Sequence, residues 1–332
     1  MLFRFGLFII PFLLLLILYL SLDPFKVVYK YKSYFRSGYP AYVTLDRDYV
    51  STQTFINNYP IYNYDSFIFG NSRSLFYQIE TWKKYINSDK CFHFDAYGES
   101  LLGINRKFKY LNKRNVKISN SLIILDFSIL CKIDEKKEHI CLSHPALSNQ
   151  NMISFQLEFF KVFLSPKFFK AYLDFKISHQ VKDYMKNDFL LSDLPYKYIE
   201  KNNEIQFENF DKQIHTDKSL YYNEKKMKVF YKRDSIQKFS QKVILETQYK
   251  MLSEISDILK KNKTNYKIII NPLYDQMKLN NDDILLLYRL FGKNNVFDYS
   301  GINFITNDYQ NFYETSHYRP PIAEYIMKEI YK

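Results

Sequence analysis

Three short runs with no polar residue, Phe67-Ile68-Phe69, Leu122-Ile123-Ile124-Leu125 and Ile268-Ile269-Ile270, constrain this chain more than any other feature. Each is too short for a buried helix, and a strand that is apolar on both faces belongs in a parallel sheet between helical layers. Helical spacing fills the gaps: Leu75, Phe76, Ile79, Trp82 and Ile86 after the first run, Ile104 to Asn115 before the second, and Phe239 to Lys261 before the third. Cys91-Phe92-His93-Phe94 reads as another strand, Asp283 to Leu290 as a helix and Val296-Phe297 as the last strand; the third strand is expected to run from Leu122 to Leu130. This alternation predicts an α/β fold, a three-layer α/β/α sandwich with a parallel sheet.

The first run leads into Gly70-Asn71-Ser72-Arg73-Ser74. Gly70 and Asn71 tolerate a sharp turn, and Ser72 then stands at the carboxyl end of a buried strand, where open α/β sheets place ligands. With a helix expected from Ser74 onward, free N–H groups and the positive dipole end would lie beside its hydroxyl and favour an oxyanion. Near the other end of the chain, Glu314 precedes His317 by three residues. A carboxylate so placed orients an imidazole, which in turn takes a proton from a serine. The other histidines, His93, His139, His144, His179 and His215, have no partner at a telling spacing. Gly98, after the second strand, is either a second backbone oxyanion donor or an ordinary loop glycine.

The turn at Asn71-Ser72-Arg73 and the Glu314-Thr315-Ser316-His317-Tyr318-Arg319 segment together resemble the SGNH (GDSL-like) hydrolase superfamily, most closely its membrane-anchored bacterial branch that acts beside polysaccharide and teichoic-acid acylation machinery. Phe297-Asp298-Tyr299-Ser300-Gly301-Ile302-Asn303 is similar to an Asp-Phe-Ser-Gly-Tyr-Asn segment of that branch. The likeness runs from about Ser66 onward, with a poorly matched insertion between roughly Ala146 and Lys242. The resemblance implies a flavodoxin-like SGNH domain over 64–332, Ser72 as nucleophile, His317 as base, Glu314 as its orienting acid, and a site completed by Asn71, Gly98, Arg73 and Arg319. It implies no metal and no other cofactor. The third-strand position that carries an oxyanion-hole Asn in the family is Asp126 here; an ionised carboxylate cannot donate a hydrogen bond, so Asp126 is either protonated or differently employed.

From Phe5 to Leu22 no charge interrupts an apolar stretch of 18 residues, roughly 27 Å of helix and enough to cross a thin hydrocarbon core. It reads as an uncleaved signal anchor over 1–23, with a cleaved signal peptide the alternative. Residues 24–63, rich in Tyr and turn formers, read as a stalk. Lys26, Lys30, Lys32 and Arg36 follow the anchor and only Arg4 precedes it, a balance that by charge alone keeps the body in the cytoplasm. The resembled branch works outside, and the body is expected on the periplasmic or extracellular side of a bacterial cytoplasmic membrane.

The 31 Tyr and 30 Phe, with abundant Lys, Asn and Ile, are the mark of an AT-rich genome, so the net charge of +12 from 47 basic and 35 acidic residues carries limited weight. It suits anionic lipid or an acidic polymer; with no Arg-rich stripe, zinc pattern or recognition helix, nucleic acid is not an expected partner. Cys131 and Cys141 bracket a polar loop and either close a disulfide or stay reduced. In the insertion, aromatic stripes from Asn151 to about Asp188 break at Pro166 and read as core helices, Leu194 to Lys218 as a long loop, and Lys212 to Arg233 as a solvated face.

The expected function is a membrane-anchored esterase or acyltransferase working through Ser72, His317 and Glu314 on acyl groups, acetyl foremost, of a cell-envelope polysaccharide or teichoic-acid-like polymer, with a multi-pass O-acyltransferase as partner. The alternatives are an inactive SGNH-fold scaffold or glycan-binding subunit of an O-acylation complex, and a membrane-tethered structural protein unrelated to the family.

Overall fold

Packing on both faces of the apolar runs builds the sheet. β1 (Ser66–Phe69), β2 (Cys91–His93), β3 (Asn120–Leu125), and two later strands, β6 (Asn265–Ile270) and β7 (Val296–Asp298), align in the order β2-β1-β3-β6-β7, every neighbouring pair parallel. In this computed structural model, which describes residues 2–35, 43–135, 138–188 and 197–332, the protein is a mixed α/β fold whose five-stranded parallel sheet is flanked by helices.

Alternation along the strands decides which helices sit where. Phe67, Phe69, Ile123, Leu125, Ile268 and Ile270 face α4 (Leu101–Lys113), α8 (Glu246–Lys261) and α9 (Asn281–Phe291). Ile68, Leu122, Ile124 and Ile269 face the other way, against α3 (Ile79–Ile86) and α10 (Pro320–Ile330), where Trp82 and Ile326 are fully buried.

Several expected elements differ. The third strand stops at Leu125, because Asp126 accepts from Ile129 N–H at 3.0 Å and turns residues 127–130 into a short helix. The helix expected from Phe239 starts at Glu246, since Val243 and Ile244 donate their N–H groups to Asp283 instead. The expected stalk is no loose spacer: α2 (Arg47–Tyr62) has its first nine residues buried. Arg47 is 0% exposed and grips Asp95 with Nε and Nη2 at 2.8 and 2.7 Å.

The expected loop 194–218 carries a hairpin, β4 (Lys197–Ile199) with β5 (Glu204–Gln206), followed by α7 (Glu208–Thr216). His93 N–H donates to Asn202 O at 2.9 Å, which fastens this hairpin to the sheet's edge. Within the insertion, α5 (Met152–Phe163) and α6 (Pro166–Ser178) meet at the expected break and form a separate aromatic cluster with α1 (Leu2–Leu22). Tyr19 packs on Phe160 and Phe163 there, whereas Ile10, Leu14 and Ile17 are exposed. Among the described residues no helix is long and apolar enough to cross a membrane. Cys91, Cys131 and Cys141 are all free thiols. Residues 36–42 of the expected stalk (with Arg36), 136–137 of the Cys131–Cys141 loop and 194–196 of the expected loop lie outside the described residues.

Candidate functional site

Strand order reverses direction between β1 and β3, and ligands bind beyond the carboxyl ends of strands at such a point. Ser72 follows β1 and Asp126 follows β3. Gly70 permits this close approach: a Cβ there would lie 2.8 Å from Ser74 Cβ and 3.1 Å from Ile124 O. Asn71 then fixes the turn, accepting Arg73 N–H on Oδ1 at 3.0 Å and donating Nδ2–H to Asp126 at 2.9 Å.

Ser72 opens a five-residue 3₁₀ turn, Ser72–Phe76, and not the long helix expected. Tyr77 and Gln78 break the run before α3 starts. The dipole of a full helix is therefore not directed at its hydroxyl, and the local N–H groups are the donors at hand.

The partner segment is a tight antiparallel hairpin, β8 (Phe312–Glu314) and β9 (His317–Tyr318), in which Glu314 and His317 are paired residues. That register puts the carboxylate beside the imidazole, and Glu314 Oε1 accepts from His317 Nδ1. The other carboxylate oxygen accepts Ser316 N–H at 2.7 Å, which holds the longer glutamate arm in place. His317 Nε2 lies 2.8 Å from Ser72 Oγ, across a separation of 245 residues. Burial alone would raise the Glu314 carboxyl, but His317 and the Ser316 N–H outweigh it and hold the acid below its ordinary value. The carboxylate stays ionised, and a proton on Nδ1 leaves Nε2 free to accept. The tight Ser72 and His317 contact leaves both side chains reachable, His317 being 33% exposed.

Asp126 does not serve as a donor. It is 1% exposed and accepts from Arg73 Nη1 at 2.7 Å, Asn71 Nδ2 at 2.9 Å, Asn271 Nδ2 at 3.3 Å, Ser128 Oγ at 2.5 Å and Ile129 N–H at 3.0 Å. Burial would raise its carboxyl, yet Arg73 and these donors hold it below the ordinary value. Of the two readings open in the sequence, protonated or differently employed, the geometry gives the second: an anion that gathers the residues around Ser72. Arg73 extends the tie, donating Nε–H to Ser316 O at 2.8 Å and so joining the Ser72 turn to the His317 hairpin.

Gly98 lies on the turn after β2 with φ +54°, a turn tethered to the end of β1 by Ala96 N–H to Gly70 O at 3.2 Å. Arg319 is held by the insertion: Nε and Nη2 both lie 3.0 Å from Asp211 of α7, and Nη1 donates to Gln310 O. Its guanidinium charge is thus met by a carboxylate of the insertion.

Two contributors were not singled out in the sequence. Asn271, fully buried, hydrogen-bonds Asp126 and accepts Tyr318 O–H at 2.8 Å, while Tyr318 also donates to Arg73 O at 3.2 Å. The signal for Asn271 was present as a polar residue directly after the Ile268–Ile270 run. Among the described residues no group of three or more His, Cys, Asp or Glu is arranged to hold a metal.

No family model, no curated protein and no solved structure matches this chain.

Proposed function

We propose that the chain is a serine acyl-transfer enzyme of the SGNH type, an esterase or O-acyltransferase of cell-envelope glycan. The observation that carries it is the continuous chain Ser72 Oγ, His317 Nε2, His317 Nδ1, Glu314 Oε1 at the sheet's switch point. In the first step Ser72 Oγ forms a bond to the acyl carbon while its proton passes to His317 Nε2, and Glu314 stabilises the resulting imidazolium. The tetrahedral oxyanion is met by the N–H of Ser72. Its collapse breaks the bond to the leaving oxygen or sulfur, which takes the proton from His317. Water or a glycan hydroxyl then gives a proton back to His317, attacks the acyl-serine and restores the enzyme.

Arg73, held by Asp126, places a cation one residue from the nucleophile, which favours an acidic acceptor such as a teichoic-acid-like polymer. The five parallel strands, with the site after β1 and β3, suit the flavodoxin-like SGNH fold. A membrane position rests on the uncharged sequence Phe5 to Leu22 and the exposed Ile10, Leu14 and Ile17 of α1. In this reading the apolar Phe5 to Leu22 stretch holds the body against the outer surface of a cytoplasmic membrane, next to a multi-pass O-acyltransferase.

A second reading, a scaffold subunit that keeps the fold without turnover, is favoured by Asp126 standing as an acceptor where the resembled family has an amide donor. A fluorophosphonate probe separates the two. The enzyme forms a Ser72 Oγ–phosphorus bond with loss of fluoride, seen by mass spectrometry of the tryptic peptide; a scaffold stays unlabelled.

A further inference from the structure

The hairpin that carries Glu314 and His317 has only two short strands, β8 and β9, and takes no part in the main sheet. A two-stranded ribbon of that length does not hold its own geometry in water. Besides the ties of Arg73 to Ser316 O and of Tyr318 to Asn271, a separate set of contacts that hold it comes from the insertion. Asp211 of α7 accepts the Tyr313 hydroxyl at 2.5 Å on Oδ2 and Arg319 Nε at 3.0 Å on Oδ1. Tyr313 is the residue before Glu314, and Arg319 is the second residue after His317. One carboxylate thus spans both strands just outside the acid–base pair. Tyr221 and Tyr222 add hydroxyl donors to Tyr313 O at 3.1 Å and Phe312 O at 2.8 Å. The ion pair is largely sequestered, with Arg319 11% and Asp211 19% exposed.

We infer that Asp211 is a positioning residue for acyl transfer: by clamping Tyr313 and Arg319 together it sets the distance from His317 Nε2 to Ser72 Oγ, so that the insertion controls how well the base is aligned. This rests on the acyl-transfer reading. Asp211 touches neither Ser72 nor His317, and its effect runs through the hairpin backbone. A misplacement near 1 Å at a reacting pair costs about a hundredfold, so a loosened hairpin slows the chemical step and spares reversible binding.

The test uses the full chain with a fluorophosphonate probe, measuring kinact and KI across pH, together with hydrogen exchange of the amides of 312–319. Asp211→Asn keeps the shape and removes the charge; the expected result is a fall in kinact of at least about tenfold with KI within twofold, a shifted pH profile, and faster exchange in 312–319 while β1 and β3 stay protected. Asp211→Glu, which keeps the carboxylate, is expected to recover most of the rate. Lys212→Ala, on the same helix and paired with half-buried Glu208 among the described residues, is the control and labels at the wild-type rate. Wild-type kinact with unchanged exchange in Asp211→Asn overturns the inference, and so does a rate loss that merely tracks a lowered unfolding temperature across all regions. If the wild type itself does not label, the acyl-transfer reading fails and the positioning role fails with it, and hydrogen exchange then reports the clamp as structural only.

Discussion

Arg73 Nη1 and Asp126 Oδ2 stand 2.7 Å apart, and this pair ties the turn after β1 to the end of β3. Asp126→Asn turns an acceptor of five donors into a group that brings an N–H₂ among them and leaves Arg73 without its counter-charge. Stability is expected to fall by about 1–3 kcal/mol in urea titration. Hydrolysis of an aryl acetate is expected to drop as well, because Arg73 no longer bridges to Ser316. A rise in hydrolysis would instead show that a missing amide donor limits the site.

Ser72→Ala removes the proposed nucleophile and little else. The cap of the 3₁₀ turn is Asn71, so stability should stay within about 0.5 kcal/mol of wild type. Acyl transfer is expected to fall at least about a thousandfold, since binding and oxyanion contacts alone give only residual catalysis. Intact polymer acylation in cells carrying Ser72→Ala would sink the nucleophile role and leave the scaffold reading.

His144 offers a pH test of folding. It is 3% exposed and stacked on Tyr49 with ring centroids 4.8 Å apart, its ring nitrogens meeting Gln53 Oε1 and Ala146 N–H while its backbone N–H reaches Asp48 at 3.5 Å; burial pushes its imidazole down from 6.5 to about 4. The folded form therefore prefers neutral His144. That contribution is complete above pH 6.5 and is lost as pH falls towards about 4. The loss should approach about 3 kcal/mol at the acid end. His144→Asn, which can still cap Ala146 N–H, should flatten this part of the profile in urea unfolding between pH 7 and 4.5. An equal slope in both proteins would refute the assignment.

Arg47→Ala leaves the buried Asp95 without its guanidinium partner, only the His93 ring still meeting it at 3.2 Å, and Asn203 Oδ1 loses one of its two donors, Tyr198 O–H being the other. The expected cost is about 3–5 kcal/mol, measured by chemical denaturation. Arg47→Ala together with Asp95→Ala should cost less than the sum of the single changes, because no lone charge is left behind.

The sheet was legible because its strands are apolar on both faces: Phe67 to Phe69, Leu122 to Leu125 and Ile268 to Ile270 admit few other environments. Ser72, Glu314 and His317 were legible as a pair of local motifs, and the structure brings them into one hydrogen-bonded chain. The packing of α2 was hidden, because six of the nine residues it buries are polar, Arg47, Asp48, Ser51, Thr52, Gln53 and Thr54, against the apolar Tyr49, Val50 and Phe55. Hydropathy periodicity has no means of seeing a helix held by ion pairs and hydrogen bonds. The hairpin β4–β5 was hidden for a different reason. Three-residue strands are too short to show a period, and Ile205 is the one aliphatic side chain of β5. Arg319 was read as lining the opening because its charge was visible and its partner, Asp211, more than a hundred residues earlier, was not.

The Ser72 hydroxyl and its base lie 245 residues apart along the chain. At a synthesis rate of about 5–20 residues per second, the hydroxyl leaves the ribosome roughly 12–50 s before the imidazole does. On the acyl-transfer reading, the nascent chain during that interval holds a serine with nothing to activate it. Acyl donors then meet an inert polypeptide until the Phe312–Tyr318 hairpin is made, and a fragment lacking that hairpin stays inert.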